Sequence, residues 1–80
     1  MNKKKYWYCK HFSKNLADLM KMKGLTVLKL AAKMGISKNT IYNWLYGISE
    51  PSIGEARILA GVLGVTMAEL IGEEDQQNDG

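Results

Sequence analysis

One stretch of the 80-residue chain, residues 26–46 (TVLKLAAKMGISKNTIYNWLY), constrains the fold more than any other. Its first part has the i, i+3, i+4, i+7 apolar spacing of a helix with one buried face, at Val27, Leu30, Ala31 and Met34. Gly35 suits the left-handed position that ends a helix, because glycine has no Cβ to clash. Ser37 suits the N-cap of a second helix, because its hydroxyl can accept from an exposed amide. The pattern predicts two helices joined by a tight turn.

The second helix, predicted from Lys38 to about Tyr46, has an apolar and a polar side. The side expected to be buried carries Ile41, Trp44 and Leu45. At 3.6 residues per turn the opposite side carries Asn39, Asn43 and Tyr46, flanked by Tyr42. The second helix therefore presents amides and phenols to solvent. This is the plan of a DNA-reading helix-turn-helix, whose second helix enters the major groove.

Three further helices are predicted around this pair. Helix 1 runs from about Ser13 to Lys23, with an apolar stripe of Phe12, Leu16, Leu19 and Met20. Helix 4 follows a loop that ends at Pro51, and its buried stripe is Ala56, Leu59, Ala60 and Leu63. Helix 5 is short and carries Met67, Leu70 and Ile71. No strand-like alternation is long enough to require a sheet, so the predicted fold class is all-α.

Two capping boxes mark the starts of helices 4 and 5. Ser52 is followed three residues later by Glu55, and Thr66 in the same way by Glu69. In such a box each side chain accepts a hydrogen bond from the other residue's backbone amide. Both helices are therefore expected to begin at these positions.

Composition divides the chain into residues 1–11, a basic-aromatic arm, residues 12–72, the helical domain, and residues 73–80, an acidic tail. The tail has no apolar residues and is expected to be disordered. The arm carries three consecutive lysines followed by Tyr6-Trp7-Tyr8. Four alternatives stay open for the arm. It runs along the DNA backbone or enters a minor groove, it packs its aromatics on the domain, it pairs with a second subunit, or it is a loose chain end.

The net charge of +3 hides a division along the chain. Residues 1–49 hold ten lysines and one acid, whereas residues 50–80 hold Arg57 and seven acids. The first part therefore carries +9 and the second −6. This division favours a surface that meets phosphate over a solvated surface of merely uneven charge.

Several classes of protein do not fit the sequence. It has no run of 18 apolar residues and no signal peptide, so we expect a cytoplasmic protein without a membrane span. The single Cys9 cannot form an internal disulfide, which fits a reducing compartment. Cys9 and His11 are too few ligands for a metal site, and no cofactor is expected. Without a catalytic triad or a phosphate-binding loop, we do not expect an enzyme.

Residues 12–71 resemble the Cro/repressor-type helix-turn-helix family, also called XRE-type, which occurs in phage repressors and many bacterial regulators. The resemblance rests on Leu25, Leu30-Ala31, Gly35-Ile36-Ser37, Ile41, Gly47, Pro51-Ser52 and the run from Leu59 to Val65. It implies a compact five-helix lambda-repressor-like bundle whose third helix reads the major groove. It also implies a transcriptional regulator, most simply a small repressor that binds a palindromic operator in double-stranded DNA as a homodimer.

The resemblance assigns base reading to Lys38, Asn39, Thr40 and Asn43. Asparagine can make a paired hydrogen bond to adenine N6 and N7, and lysine can reach guanine O6 and N7. Asn39 and Asn43 are one turn apart, so together they would read neighbouring base pairs in a half-site that contains adenines. The alternative is that both are ordinary exposed polar residues.

Candidates for contacts with the DNA backbone are Thr26, Ser37, Tyr42, Tyr46 and Lys29. The two tyrosines have alternatives that stay open: they touch the sugar-phosphate or a thymine methyl, or they lie over the domain surface with hydroxyls in water.

The chain departs from the family pattern at three places. Val27 stands where many members have a glutamine that holds a phosphate, and Leu45 where many have a polar residue. The loop Ile48-Ser49-Glu50 lacks the basic residues that many members carry there. We expect lysines that face the duplex to compensate, from among Lys3 to Lys5, Lys10, Lys14, Lys29 and Lys38.

A second class of function also fits the sequence, namely an antitoxin-like or other protein-interaction module that retains the fold. Met20, Met22, Met67 and the acidic tail would supply its surface, because methionine-rich patches adapt to partners. The alternative for these residues is plain core and tail.

Overall fold

The structure is a computed structural model, and it describes residues 11–72. Within that range the chain forms five α-helices and no strand: α1 Phe12–Lys23, α2 Val27–Met34, α3 Lys38–Leu45, α4 Ile53–Leu63 and α5 Met67–Ile71. The predicted all-α, five-helix bundle is confirmed. The expectations for residues 1–10, including Cys9, and for residues 73–80 lie outside the described residues.

Three of the observed helix ends differ by one residue from the predicted ends, which are Ser13 for α1, Thr26 for α2 and Tyr46 for α3. Helix α1 begins at Phe12 rather than Ser13, and its N-cap His11 makes no side-chain hydrogen bond. Helix α2 begins at Val27, because Thr26 is the N-cap and has extended backbone angles. Helix α3 ends at Leu45, with Tyr46 as its C-cap.

Four of the helices begin at a side-chain cap. The hydroxyls of Thr26, Ser37, Ser52 and Thr66 each accept a hydrogen bond from a backbone amide in the first turn, at 3.0 to 3.1 Å. Both predicted capping boxes are present, since Glu55 and Glu69 also accept from the amides of their own N-caps. Each cap satisfies an amide that the helix itself leaves without a partner.

One apolar core joins all five helices. Helix α1 packs against α3, α4 and α5, α2 packs against α3 and α4, and α4 packs against α5. The buried side chains are Phe12, Leu16, Met20, Leu30, Ala31, Ile41, Trp44, Ala56, Leu59, Ala60, Leu63 and Leu70. No polar or charged side chain is buried among residues 11–72, so this core is apolar throughout. No helix in this range is long and apolar enough to cross a membrane.

Two leucines in α2 separate core packing from exposed apolar surface. Leu30 is fully buried, whereas Leu28 is 65% exposed. We expect Leu30→Ala to lower the free energy of unfolding by about 2–5 kcal/mol, because it removes buried methyl groups and leaves a cavity. The matched control Leu28→Ala should stay within about 0.5 kcal/mol of the parent. Urea denaturation measures both, and equal losses would contradict this assignment of the core.

Candidate nucleic-acid interface

The core fixes which side of α3 faces outward. Ile41 and Trp44 have 0% and 1% of their surface exposed and hold one side of the helix against the bundle. Successive residues of a helix are about 100° apart, so Asn39, Asn43 and Tyr46 lie on the outer side, and all three are exposed. The predicted division of this helix is confirmed.

The C-terminal end of α3 is tied to α1 by a hydrogen bond. The Ser13 hydroxyl donates to the carbonyl oxygen of Trp44 at 2.8 Å, across 31 positions of the chain. Sequence reasoning missed this contact, because a serine beside a predicted helix start suggests a cap rather than a link to another helix.

The turn after α3 closes the same end of the helix. Gly47 has a φ of 74°, in the left-handed region, and its amide donates to the Trp44 carbonyl oxygen at 3.2 Å. The amide of Ile48 donates to the Asn43 carbonyl oxygen at 2.8 Å. These bonds satisfy carbonyl groups that the end of a helix would leave unpaired. Hydrogen bonds from α1 and from the following loop therefore fix the backbone of α3 at Asn43 and Trp44.

Hydroxyl caps stand at the N-terminal ends of α2 and α3. Ser37 Oγ accepts from the Asn39 amide at 3.0 Å, and Thr26 Oγ1 accepts from the Lys29 amide at 3.1 Å. A hydroxyl that accepts in this way still has its own proton to donate. Thr26 and Ser37 are both exposed, so each hydroxyl can cap its helix and donate to a phosphate oxygen at the same time.

The structure exposes three of the four predicted base-reading residues. Lys38, Asn39 and Asn43 are exposed on α3, whereas Thr40 is half-buried. Thr40 follows Asn39 by one position, which turns it toward the half-buried edge of the helix. It therefore offers less surface to a ligand than the two asparagines.

Tyr42 and Tyr46 stack on each other. Their ring centroids are 6.0 Å apart and their planes differ by 16°. Tyr46 is 72% exposed and Tyr42 is 38% exposed, so the pair forms an aromatic edge beside Asn43. Such a stack restrains two side chains that would otherwise rotate independently.

The helix-turn-helix carries only positive charge. Residues 26–46 include Lys29, Lys33 and Lys38, all exposed, and no acid. The first acid after them is Glu50, in the loop before α4. Every charged side chain of this segment is therefore a cation, which favours a polyanion partner.

Two of the family departures have a structural reason. Val27 and Leu45 are half-buried and pack against the core. Each therefore adds apolar contact that a polar residue at the same position would not make. Leu28 and Ile48 are different, because they are 65% and 69% exposed. Sequence reasoning did not single out either residue as exposed.

The three methionines proposed for a partner surface are not equally accessible. Met20 is buried in the core, Met67 is half-buried and Met22 is 74% exposed. Met20 therefore belongs to the core and cannot contribute to such a surface. Within residues 11–72, no three His, Cys, Asp or Glu side chains form a group that could hold a metal ion.

A capped helix-turn-helix whose second helix exposes amides, in a segment with lysines and no acid, is typical of DNA-binding domains. The family model HTH_3, described as helix-turn-helix, matches residues 16–70. The chain belongs to this family of XRE-type helix-turn-helix domains, which confirms the resemblance, and it is a DNA-binding regulator of that type. No curated protein sequence matches the chain significantly.

The Ser37 cap can be tested against another exposed serine. We expect Ser37→Ala to lower the free energy of unfolding by about 0.5–2 kcal/mol, because the Asn39 amide loses its acceptor. The control Ser49→Ala changes an exposed loop residue that caps no helix and should have little effect. Thermal and urea unfolding measure both variants, and an unchanged stability of Ser37→Ala would refute the cap.

Proposed function

We propose that the protein is a transcriptional repressor that binds a palindromic operator in double-stranded DNA as a homodimer, with α3 in the major groove. The observation that carries this proposal is the outer face of α3. It presents Asn39 and Asn43 from a helix that the buried Ile41 and Trp44 hold in place. A rigid helix of this kind is what base reading requires, because hydrogen bonds to base edges depend on accurate placement.

The spacing of the two asparagines suits adjacent positions of a duplex. Four residues of a helix rise about 6 Å, whereas successive bases of one strand are about 3.4 Å apart. Asn39 and Asn43 would therefore reach bases within one or two steps of each other, and each amide can pair with an adenine. Lys38, at the start of the helix, would reach a guanine or an adjacent phosphate.

Contacts with the DNA backbone would fix the register of this helix. The hydroxyls of Thr26 and Ser37 lie at the N-terminal ends of α2 and α3. Each could donate its proton to a phosphate oxygen, next to the backbone amides of the first turn. Lys29 would add a positive charge one turn into α2. Tyr42 and Tyr46, as a stacked pair, would lie against sugar or phosphate at the far end of α3.

Repression needs no chemistry beyond occupancy. A protein bound near a promoter blocks polymerase, and a dimer gains affinity and specificity by reading two half-sites. The two half-sites of such an operator are about 34–36 Å apart, one turn of the duplex, because both recognition helices must enter the same face.

The proposal is tested first by selecting bound duplexes from a random DNA pool near ~150 mM salt, where non-specific binding is weak. We expect an enriched palindrome with adenines in each half-site. An enriched single half-site would contradict the dimer, whereas no enrichment from folded protein would contradict sequence-specific binding altogether.

Base reading by Asn43 has a distinct signature on the selected site. We expect Asn43→Ala to cost about 1–3 kcal/mol of binding free energy there and to relax the preference at one base pair. The matched control is Lys29→Ala, which should weaken binding to cognate and random duplexes alike and reduce the salt slope by about one. Binding titrations measure both variants. If Asn43→Ala lost as much affinity on random DNA as on the selected site, Asn43 would not read a base.

A further inference from the structure

A groove lies on the bundle where the loop before α4 meets α4, α5 and the first residue of α1. Its volume is about 210 Å³, and its apolar lining consists of Phe12, Pro51, Ile53, Ala56, Met67 and Ile71. Phe12 and Ala56 are buried, whereas Ile53 is 76% exposed. Glu50 adds one acid to the lining. Ile53 thus continues the apolar lining out to the surface, and grooves that bind ligands are lined mostly by apolar side chains.

We infer that this groove is the docking site of the chain's own N-terminal arm, through Tyr6, Trp7 and Tyr8. The first argument is position. The arm joins the domain at His11, directly before Phe12, which itself lines the groove. Trp7 precedes Phe12 by five residues, and five extended residues span at most about 18 Å. The length of the chain therefore allows the aromatic residues of the arm to reach the groove.

The second argument is composition, which distinguishes the arm from the other segment that leaves the domain at this place. The acidic tail follows Ile71 closely, and Ile71 also lines the groove, but residues 73–80 contain no apolar side chain. The arm has three consecutive aromatic residues that can bury large apolar areas. Of these two segments, only the arm has apolar side chains that could fill the groove.

The third argument is charge. Residues 1–10 carry four lysines and no acid, whereas the groove contains Glu50 and the tail beyond Ile71 carries four acids. The charge of the arm is therefore opposite to that of Glu50, the one ionisable side chain in the lining. Attraction of this kind is modest in water, but it favours the basic arm over the acidic tail as the occupant of the groove.

The tether decides between this arm and a second copy of the chain. A short linker gives the segment it carries an effective concentration in the millimolar range. Contacts that are weak between separate molecules can therefore form within one chain. A second copy at ordinary protein concentration has no such advantage. The intramolecular arm is thus the occupant that the arrangement favours.

Fluorine NMR of the full chain, labelled with fluorotryptophan, tests the inference, because Trp7 lies in the arm and Trp44 in the core. The Trp7→Phe variant assigns the two signals. We expect Ile53→Ser to shift the Trp7 signal and to increase its broadening by a soluble paramagnetic agent. The Trp44 signal should stay unchanged and so report an intact fold.

The matched control is Ile58→Ser, on the same helix and 54% exposed but outside the groove lining. It should leave the Trp7 signal as it is in the parent. A Trp7 signal that ignores Ile53→Ser, or responds equally to both variants, would overturn the docking. A Trp7 signal that changes on dilution would assign the groove or the arm to a second copy and would also overturn it.

Discussion

The burial of Trp44 is the contact on which the position of α3, the proposed DNA-reading helix, depends. Its side chain lies in the core and its carbonyl oxygen accepts from the Ser13 hydroxyl, so one residue joins α3 to the bundle in two ways. The two contributions differ in size, since truncating a buried tryptophan typically costs about 3–5 kcal/mol, whereas a hydrogen bond contributes about 0.5–1.5 kcal/mol. Apolar burial therefore holds α3 in place, and the hydrogen bond sets where its last turn lies. With Ile41 one turn earlier, the rotation of α3 about its axis is fixed and Asn43 faces outward.

A small domain has few apolar contacts to stabilise it, and two of the departures from the family pattern add to them. A chain of this size buries only about 60% of its unfolded surface. Val27 and Leu45 both add to the apolar contact around the core, at positions where many family members have polar residues. Polar contacts near those positions then have to come from elsewhere. The exposed polar side chains of residues 26–46 that remain for such contacts include Ser37, Lys38, Asn39 and Asn43.

The sequence predicted the features that depend on near neighbours. Caps, glycine helix ends and apolar stripes involve residues within about four positions, which is why Ser37, Gly35 and the buried Trp44 could be inferred. The link from Ser13 to Trp44 spans 31 positions and leaves no local pattern.

The groove shows most clearly why surface features escape sequence reasoning, since its lining comes from α1, the loop before α4, α4 and α5. That loop also connects the groove to α3. The amides of Ile48 and Ser49 donate to the Asn43 carbonyl oxygen, while Glu50 and Pro51 line the groove. Hydrogen bonds and the left-handed Gly47 fix the start of the loop. Binding of a segment in the groove would therefore shift α3 little. A docked, lysine-rich arm would instead act on DNA binding through charge, by adding positive groups beside Glu50, the first acid after α3.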